Sequence, residues 1–150
     1  MAADETDQVA RLFHAVWHET QSHLQDPRRG RFRDLAFFQN RVSERSARTI
    51  VASSQPDILG FACWTGTELN SLFVASSARC LGLGSVLLEA AESAMRSAGA
   101  THLSLDCLVG NQLARRFYER HGWQVTGERN WEDETPEGPA WAKSWTMVKP

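Results

Sequence analysis

One tyrosine, three cysteines and no surplus of either charge mark what this chain does without. Sixteen Lys and Arg against 18 Asp and Glu leave a net charge of −2, no basis for a general attraction to nucleic acid or an anionic membrane. No apolar run approaches the ~18 residues that mark a membrane span. The opening Met-Ala-Ala-Asp-Glu-Thr-Asp is acidic and polar, unlike a signal peptide. Cys63, Cys80 and Cys107 cannot all pair, and their spacing fits no zinc signature. A reducing cytosol is the simplest setting for them. Internal repeats and low-complexity tracts are also missing. What remains is ordinary for a globular chain: 150 residues, 42% hydrophobic and 23% charged, suited to one domain over 1–150 with its own core.

Val9, Leu12, Phe13, Val16 and Trp17 recur at helical spacing, and Asp4 and Thr6 are placed to cap that first helix. Asp26-Pro-Arg-Arg-Gly-Arg-Phe-Arg reads as a basic loop. Asp34 can cap a second helix that buries Leu35, Phe38 and Val42. Residues 49–52 and 58–64 read as a hairpin, and 68–74 as a third strand. A helix spans about 82–97, and Gly99 is placed to end it. Residues 102–108 alternate as a strand, Asn111 opens a fourth helix and Gly122 closes it. Residues 123–128 and 144–149 are the last strands. Between them 130–141 reads as a long loop, too aromatic for a simple turn. The order is α-α-β-β-β-α-β-α-β-β, an α/β chain.

The segment Val74-Ala-Ser-Ser-Ala-Arg79-Cys-Leu-Gly82-Leu-Gly84-Ser85 carries the most chemistry. A strand ends, a polar loop holds Arg-x-x-Gly-x-Gly, and an Ala- and Leu-rich helix begins. Free amides and the macrodipole at such a helix start attract a diphosphate. Gly82 and Gly84 lack Cβ atoms, so an anion can come close to the backbone. A turn that only eases packing would use the same glycines. Further on comes Asn111-Gln-Leu-Ala114-Arg-Arg-Phe117-Tyr118-Glu-Arg-His-Gly122-Trp123.

Together the two segments resemble the GNAT superfamily of acetyl-CoA-dependent N-acetyltransferases. Its motifs read Arg/Gln-x-x-Gly-x-Gly/Ala and Asn-x-x-Ala-x-x-Phe-Tyr-x-x-x-Gly-Phe/Trp. The resemblance covers residues 68–127 most strongly. It implies a mixed, mostly antiparallel central sheet, splayed at its centre and flanked by about four helices. The family's first, N-terminal strand is absent here or very short. The resemblance also implies acetyl-CoA as co-substrate and no metal. Main-chain groups of Phe73 and Val74 then hold the pantetheine arm. Those of Arg79, Cys80, Leu81, Gly82, Leu83, Gly84 and Ser85 cradle the pyrophosphate. Asn111, a good N-cap in its own right, also touches the arm. Tyr118 lies against the co-substrate in the position of the acid that protonates the leaving thiolate. A phenol of pKa about 10 serves a thiolate of about 8.5 only if transfer is concerted and close. The same tyrosine could serve as a packing residue.

Glu68 is the first candidate base and Asp106 the second, although strand-end carboxylates are ordinarily solvated. In the family the acceptor lies between the loop of the first two helices and the last hairpin. Here the former carries Arg28, Arg29, Arg31 and Arg33, and the latter Glu132, Asp133, Glu134 and Glu137. These can attract an acidic group and a cationic amine, or pair with each other. Trp131 and Trp141 flank these four carboxylates, an arrangement able to hold an amine cation against an aromatic face. The expected function is acetyl transfer from acetyl-CoA to a primary amine of a small molecule or peptide by direct attack. The alternative is a non-catalytic acyl-CoA-binding or regulatory module on the same fold. No membrane or nucleic-acid partner is expected, and a homodimer is compatible with the chain. Two decoys are set aside. His18 and His23 miss the zinc-protease spacing by one residue, and His14 with His18 lacks a third ligand. His102, Asp106 and Cys107 alternate faces along a strand, so they cannot form a nucleophilic triad.

Overall fold

The computed structural model describes residues 3–150. Helix α1 (Ala3–Thr20) begins ahead of Asp4 and Thr6, so neither caps it. Asp4 and Glu5 instead lie in its first turn, where the helix dipole favours acids. Its buried stripe is Val9, Ala10, Phe13, Val16 and Trp17. The expected basic loop is a helix, α2 (Pro27–Phe32). Asp26 caps it by accepting the Arg28 N–H at 3.0 Å, and Pro27 sits where a missing N–H costs nothing. Asp34 caps α3 (Leu35–Glu44) as expected, accepting the Phe37 N–H at 2.9 Å.

The strands are β1 (Thr49–Ser54), β2 (Asp57–Thr65), β3 (Glu68–Val74), β4 (Leu103–Leu108), β5 (Gln124–Thr135) and β6 (Gly138–Lys149). They form one sheet of order β1-β2-β3-β4-β6-β5, antiparallel throughout except between β3 and β4. Helix α4 (Leu83–Ser97) connects β3 to β4, and α5 (Gln112–Arg120) connects β4 to β5. Among the described residues there are five α-helices and no strand ahead of α1.

Two cores flank the sheet. Phe13, Phe38, Phe61 and Phe73 join α1 and α3 to one face. Leu88, Ala91 and Met95 of α4 pack with Leu103, Leu105, Met147 and Trp123 on the other. A buried carboxylate ties that second core together. Glu92 accepts from the Trp123 indole at 2.9 Å and pairs with Lys149 at 3.0 Å.

The expected long loop over 130–141 is also overturned. The ladder of β5 and β6 runs on to Thr135↔Gly138, leaving Pro136 and Glu137 as a two-residue turn. Gly138 takes φ +103, which suits glycine. Pro139 is tolerated because β4 stops pairing with β6 at Ser144, so no ladder partner needs its missing N–H. Trp131 pairs with Ala142 and Glu132 with Trp141, so the two tryptophans point to opposite faces. They cannot clasp one cation between them.

Candidate active site

The parallel strands β3 and β4 meet only at Glu68↔Ser104, where the Ser104 N–H also reaches the Thr67 carbonyl at 2.9 Å. Beyond that point they part. Phe73 and Val74 pair with Phe61 and Gly60 of β2, leaving their other edge facing the split. A bulge at Asn70, where Trp64↔Leu69 gives way to Cys63↔Ser71, switches the faces of β3. Leu69 therefore joins the α4 core while Phe73 joins the α1–α3 core.

The loop after β3 turns through Cys80 at φ +66 and Gly82 at φ +78 and delivers the chain into α4. Cys80 is exposed, and its left-handed backbone costs about 1–2 kcal/mol relative to a glycine. Side chains of Asp26, Asp34 and Asn111 cap α2, α3 and α5, whereas α4 has no side-chain cap. The amides of Leu83, Gly84 and Ser85 precede its first intrahelical acceptors. Unpaired donors at the positive end of a 15-residue helix fit a diphosphate.

The two glycines divide the work. A Cβ on Gly82 would meet nothing within 4 Å, so its need is conformational. A Cβ on Gly84 would lie 3.3 Å from the Phe117 ring, so this glycine lets α4 pack closely on α5. The Arg79 guanidinium pairs with Glu19 at 3.0 Å, which leaves its main chain for the loop. Ser85 Oγ lies 2.9 Å from His121 Nε2, and His121 Nδ1 lies 2.8 Å from the Phe117 carbonyl. That carbonyl only accepts, so Nδ1 donates to it, and Nε2 is the ring nitrogen that faces the Ser85 hydroxyl. The sequence reading missed His121, although its four-residue step from Phe117 on one helix face was the available signal.

Asn111 caps α5 by accepting the Ala114 N–H at 3.3 Å. Tyr118 follows on the inner side of that helix, edge-on to Phe117 and to the fully buried Trp123. Burial pushes its pKa well above the usual tyrosine range, and the nearby Cys107 adds to this. Its ring is partly accessible, and the phenol has no hydrogen-bond partner among the described residues. Nor is it a sealed, unsatisfied group, so the hydroxyl opens onto accessible space. Cys107 itself is pushed up to about 12 by burial and stays a thiol.

Glu68 and Asp106 are half-buried at the closed end of the split. Burial raises the pKa of Glu68, the Asp106 charge raises it further, and Arg129 and Arg45 oppose. Burial also raises Asp106, against Arg129, whose Nη1 is 3.7 Å from its Oδ2. The Arg129 guanidinium in turn lies over Trp131, 3.7 Å from the ring centroid. The slot assigned to a substrate amine on Trp131 is thus filled by the protein's own cation.

The acidic and basic segments pair with each other. Arg29 and Arg33 bind Asp133 at 2.7 and 3.1 Å, Arg31 binds Glu137, and Arg28 returns to Asp26 at 2.9 Å. Asp133 is held below the usual carboxylate range by these arginines, despite burial. Asp133 and Glu137 are therefore not a free lure for amines, whereas Glu132 and Glu134 have no ion pair among the described residues. His18 Nε2 lies 2.6 Å from the Arg33 carbonyl, which occupies it structurally.

A split parallel pair, an uncapped helix start after Arg-x-x-Gly-x-Gly and a tyrosine on the next helix make up the candidate site. Residues 9–123 match the acetyltransferase (GNAT) family, and the chain belongs to it. An uncharacterised N-acetyltransferase of Methanocaldococcus jannaschii is 38% identical over 68 residues, which are 45% of this chain and 44% of that protein. The match thus spans less than half the length of that relative. Among solved structures, a GCN5-related N-acetyltransferase from Rhodopseudomonas palustris superposes with TM-score 0.76 at 21% identity, covering 99% of this chain and 91% of that one. The PaiA N-acetyltransferase of Thermoplasma acidophilum, solved in complex with coenzyme A, gives TM-score 0.71 at 15% identity, covering 99% and 94%. At these identities the two structures establish the fold.

Proposed function

We propose that residues 1–150 act as one acetyltransferase domain that moves the acetyl group of acetyl-CoA to a primary amine by direct attack. The observation that carries this is the uncapped start of α4 beside the open edge of β3. The coenzyme A held by the Thermoplasma acidophilum neighbour is consistent with it. Amides 83–85 and the turned loop at 79–82 take the pyrophosphate, and the free edge of Phe73 and Val74 takes the pantetheine arm. Acetyl-CoA supplies an activated acyl carbon. Glu68, with Asp106 behind it, accepts a proton from the incoming amine. Backbone donors along the split stabilise the developing oxyanion. Tyr118 gives its proton to sulfur as the C–S bond breaks. Because burial keeps the phenol protonated, this donor is available across the whole working pH range.

A screen of primary amines with acetyl-CoA, reading free thiol, tests the proposal. Amine-dependent thiol release is the expected result. Tight acetyl-CoA binding with no release across the screen would make the protein a non-catalytic acyl-CoA module. The base has its own signature. Glu68 acts as carboxylate, and its pKa is raised, so activity falls on acidification at a higher pH than an ordinary glutamate would give. Glu68→Gln should lower kcat/KM by ~10²-fold and remove that acidic limb. A limb that survives the substitution would assign it to another group.

A further inference from the structure

Ser85 and His121 join the first turn of α4 to the end of α5. Ser85 is the third residue of α4, the position whose side chain can reach back towards a helix's open start. Its Oγ lies 2.9 Å from His121 Nε2, while His121 Nδ1 is held 2.8 Å from the Phe117 carbonyl. The imidazole also packs on the Phe117 ring, centroids 4.6 Å apart, and Phe117 is the residue that abuts Gly84. A half-buried histidine, fixed at both nitrogens, thus stands beside the open amides of 83–85.

With Nδ1 donating to a carbonyl, only Nε2 can change. A bare Nε2 accepts the Ser85 hydrogen and ties the hydroxyl to α5. A protonated Nε2 donates to Ser85 Oγ instead, which frees the hydroxyl hydrogen for another acceptor. Two helix ends set the balance. His121 is the C-cap of α5, whose negative end favours an imidazolium, and the positive start of α4 opposes it until an anion arrives. Other charges nearby are few. Glu89 and Glu92 follow Ser85 along one stripe of α4, and Arg120 precedes the histidine on α5. From β6, Lys149 Nζ comes within 4.0 Å of the place that a Gly122 Cβ would take. Glu92 is already held by Lys149 and Trp123, and none of these groups forms an ion pair with His121 among the described residues.

We propose that Ser85 and His121 form a proton-coupled contact to the diphosphate of acetyl-CoA: the imidazolium donates from Nε2 to Ser85 Oγ, and the hydroxyl donates to a phosphate oxygen. This rests on the acetyl-CoA site proposed above and adds two side chains to its main-chain donors. The proton at Nε2 comes from solvent, so binding takes up a proton. The complex holds that proton more tightly than the free protein does. Its contribution to affinity is therefore whole at acid pH, and it is lost as pH rises through the range of about 5 to 8 in which histidines change charge. Ser85 touches the ligand, and His121 is a positioning residue that acts through it.

Calorimetry from about pH 5 to 8, in buffers of unlike ionisation enthalpy, reads affinity and proton uptake together. The ligands are acetyl-CoA and dephospho-coenzyme A, which keeps the diphosphate but lacks the 3′-phosphate, a monoester that itself titrates at about pH 6. Affinity for the dephospho ligand should fall ~10-fold across the range, the size of one charge-assisted bond, with net proton uptake in mid-range. Ser85→Ala should bind it ~10-fold more weakly at acid pH and take up no proton. Ser85→Thr keeps the hydroxyl and should keep the slope. His121→Gln offers a fixed donor at similar reach, so it should retain the acid-pH affinity within ~3-fold and lose the slope. If that variant does not fold, the two serine variants decide. A slope that survives Ser85→Ala, or one seen with acetyl-CoA but absent with the dephospho ligand, would overturn the inference. Binding of acetyl-CoA with no proton uptake would overturn it and leave acetyl transfer standing. Failure of acetyl-CoA to bind at any pH would overturn both.

Discussion

Tyr118→Phe is expected to lower kcat by ~10²-fold or more and to leave acetyl-CoA affinity nearly unchanged. The substitution removes one oxygen from a ring that keeps its contacts with Phe117 and Trp123. No hydrogen bond to another described residue is lost, so the fold has little reason to respond. The chemical step does. Without the phenol, the thiolate must leave bare or wait for water. The raised pKa adds a second expectation: the wild-type rate should show no alkaline fall due to Tyr118 below the point where ordinary tyrosines ionise. Steady-state and single-turnover rates, with calorimetry for binding, read both. An unchanged chemical rate would make Tyr118 a packing residue.

Gly82→Val is expected to weaken acetyl-CoA by at least ~10-fold in a protein that still folds, since one charge-assisted contact is worth roughly that much. The structure sharpens the reason. Nothing lies within 4 Å of the added Cβ, so the fold itself has room for it. The backbone, however, sits at φ +78, which a β-branched residue resists. Relieving that strain turns the amides of 83–85 away from their common target, and the Cβ would also stand in the path of the pyrophosphate. Calorimetry on a variant with a cooperative melt decides it. Unaltered affinity would remove the loop from the binding site.

Much of this site was legible because its signals are local. Arg-x-x-Gly-x-Gly and Asn-x-x-Ala-x-x-Phe-Tyr fix a strand end, two helix starts and one phenol within short windows. Asp34 announced α3 in the same way. Where partners lie far apart in sequence, legibility fell. Pairing between the arginines and the acidic hairpin stood as one alternative, but nothing near Arg29 or Arg33 singles out Asp133, about a hundred residues on, as their common partner. Glu-Asp-Glu and two prolines read as a loop because β-propensity measures a half-buried pleat, and β5 earns its strand from β6 instead. Gly84 looked like a second anion contact, and only the packing of α5 reveals its neighbour to be Phe117.

Strand β5 pairs with β6 alone, so a 12-residue edge of unmatched amides and carbonyls is left open. Such an edge invites another chain to add to it. Glu128, Arg129, Glu132, Asp133 and Glu134 crowd that margin with charge, mostly of one sign. Glu128 and Asp133 are held by Lys143 and by Arg29 and Arg33, so a second copy laid antiparallel along the edge would meet the carboxylates of Glu132 and Glu134 as unbalanced like charges. Glu132 and Glu134, which looked like bait for an amine, thus also stand as a guard rail against copies of this sheet growing into one another.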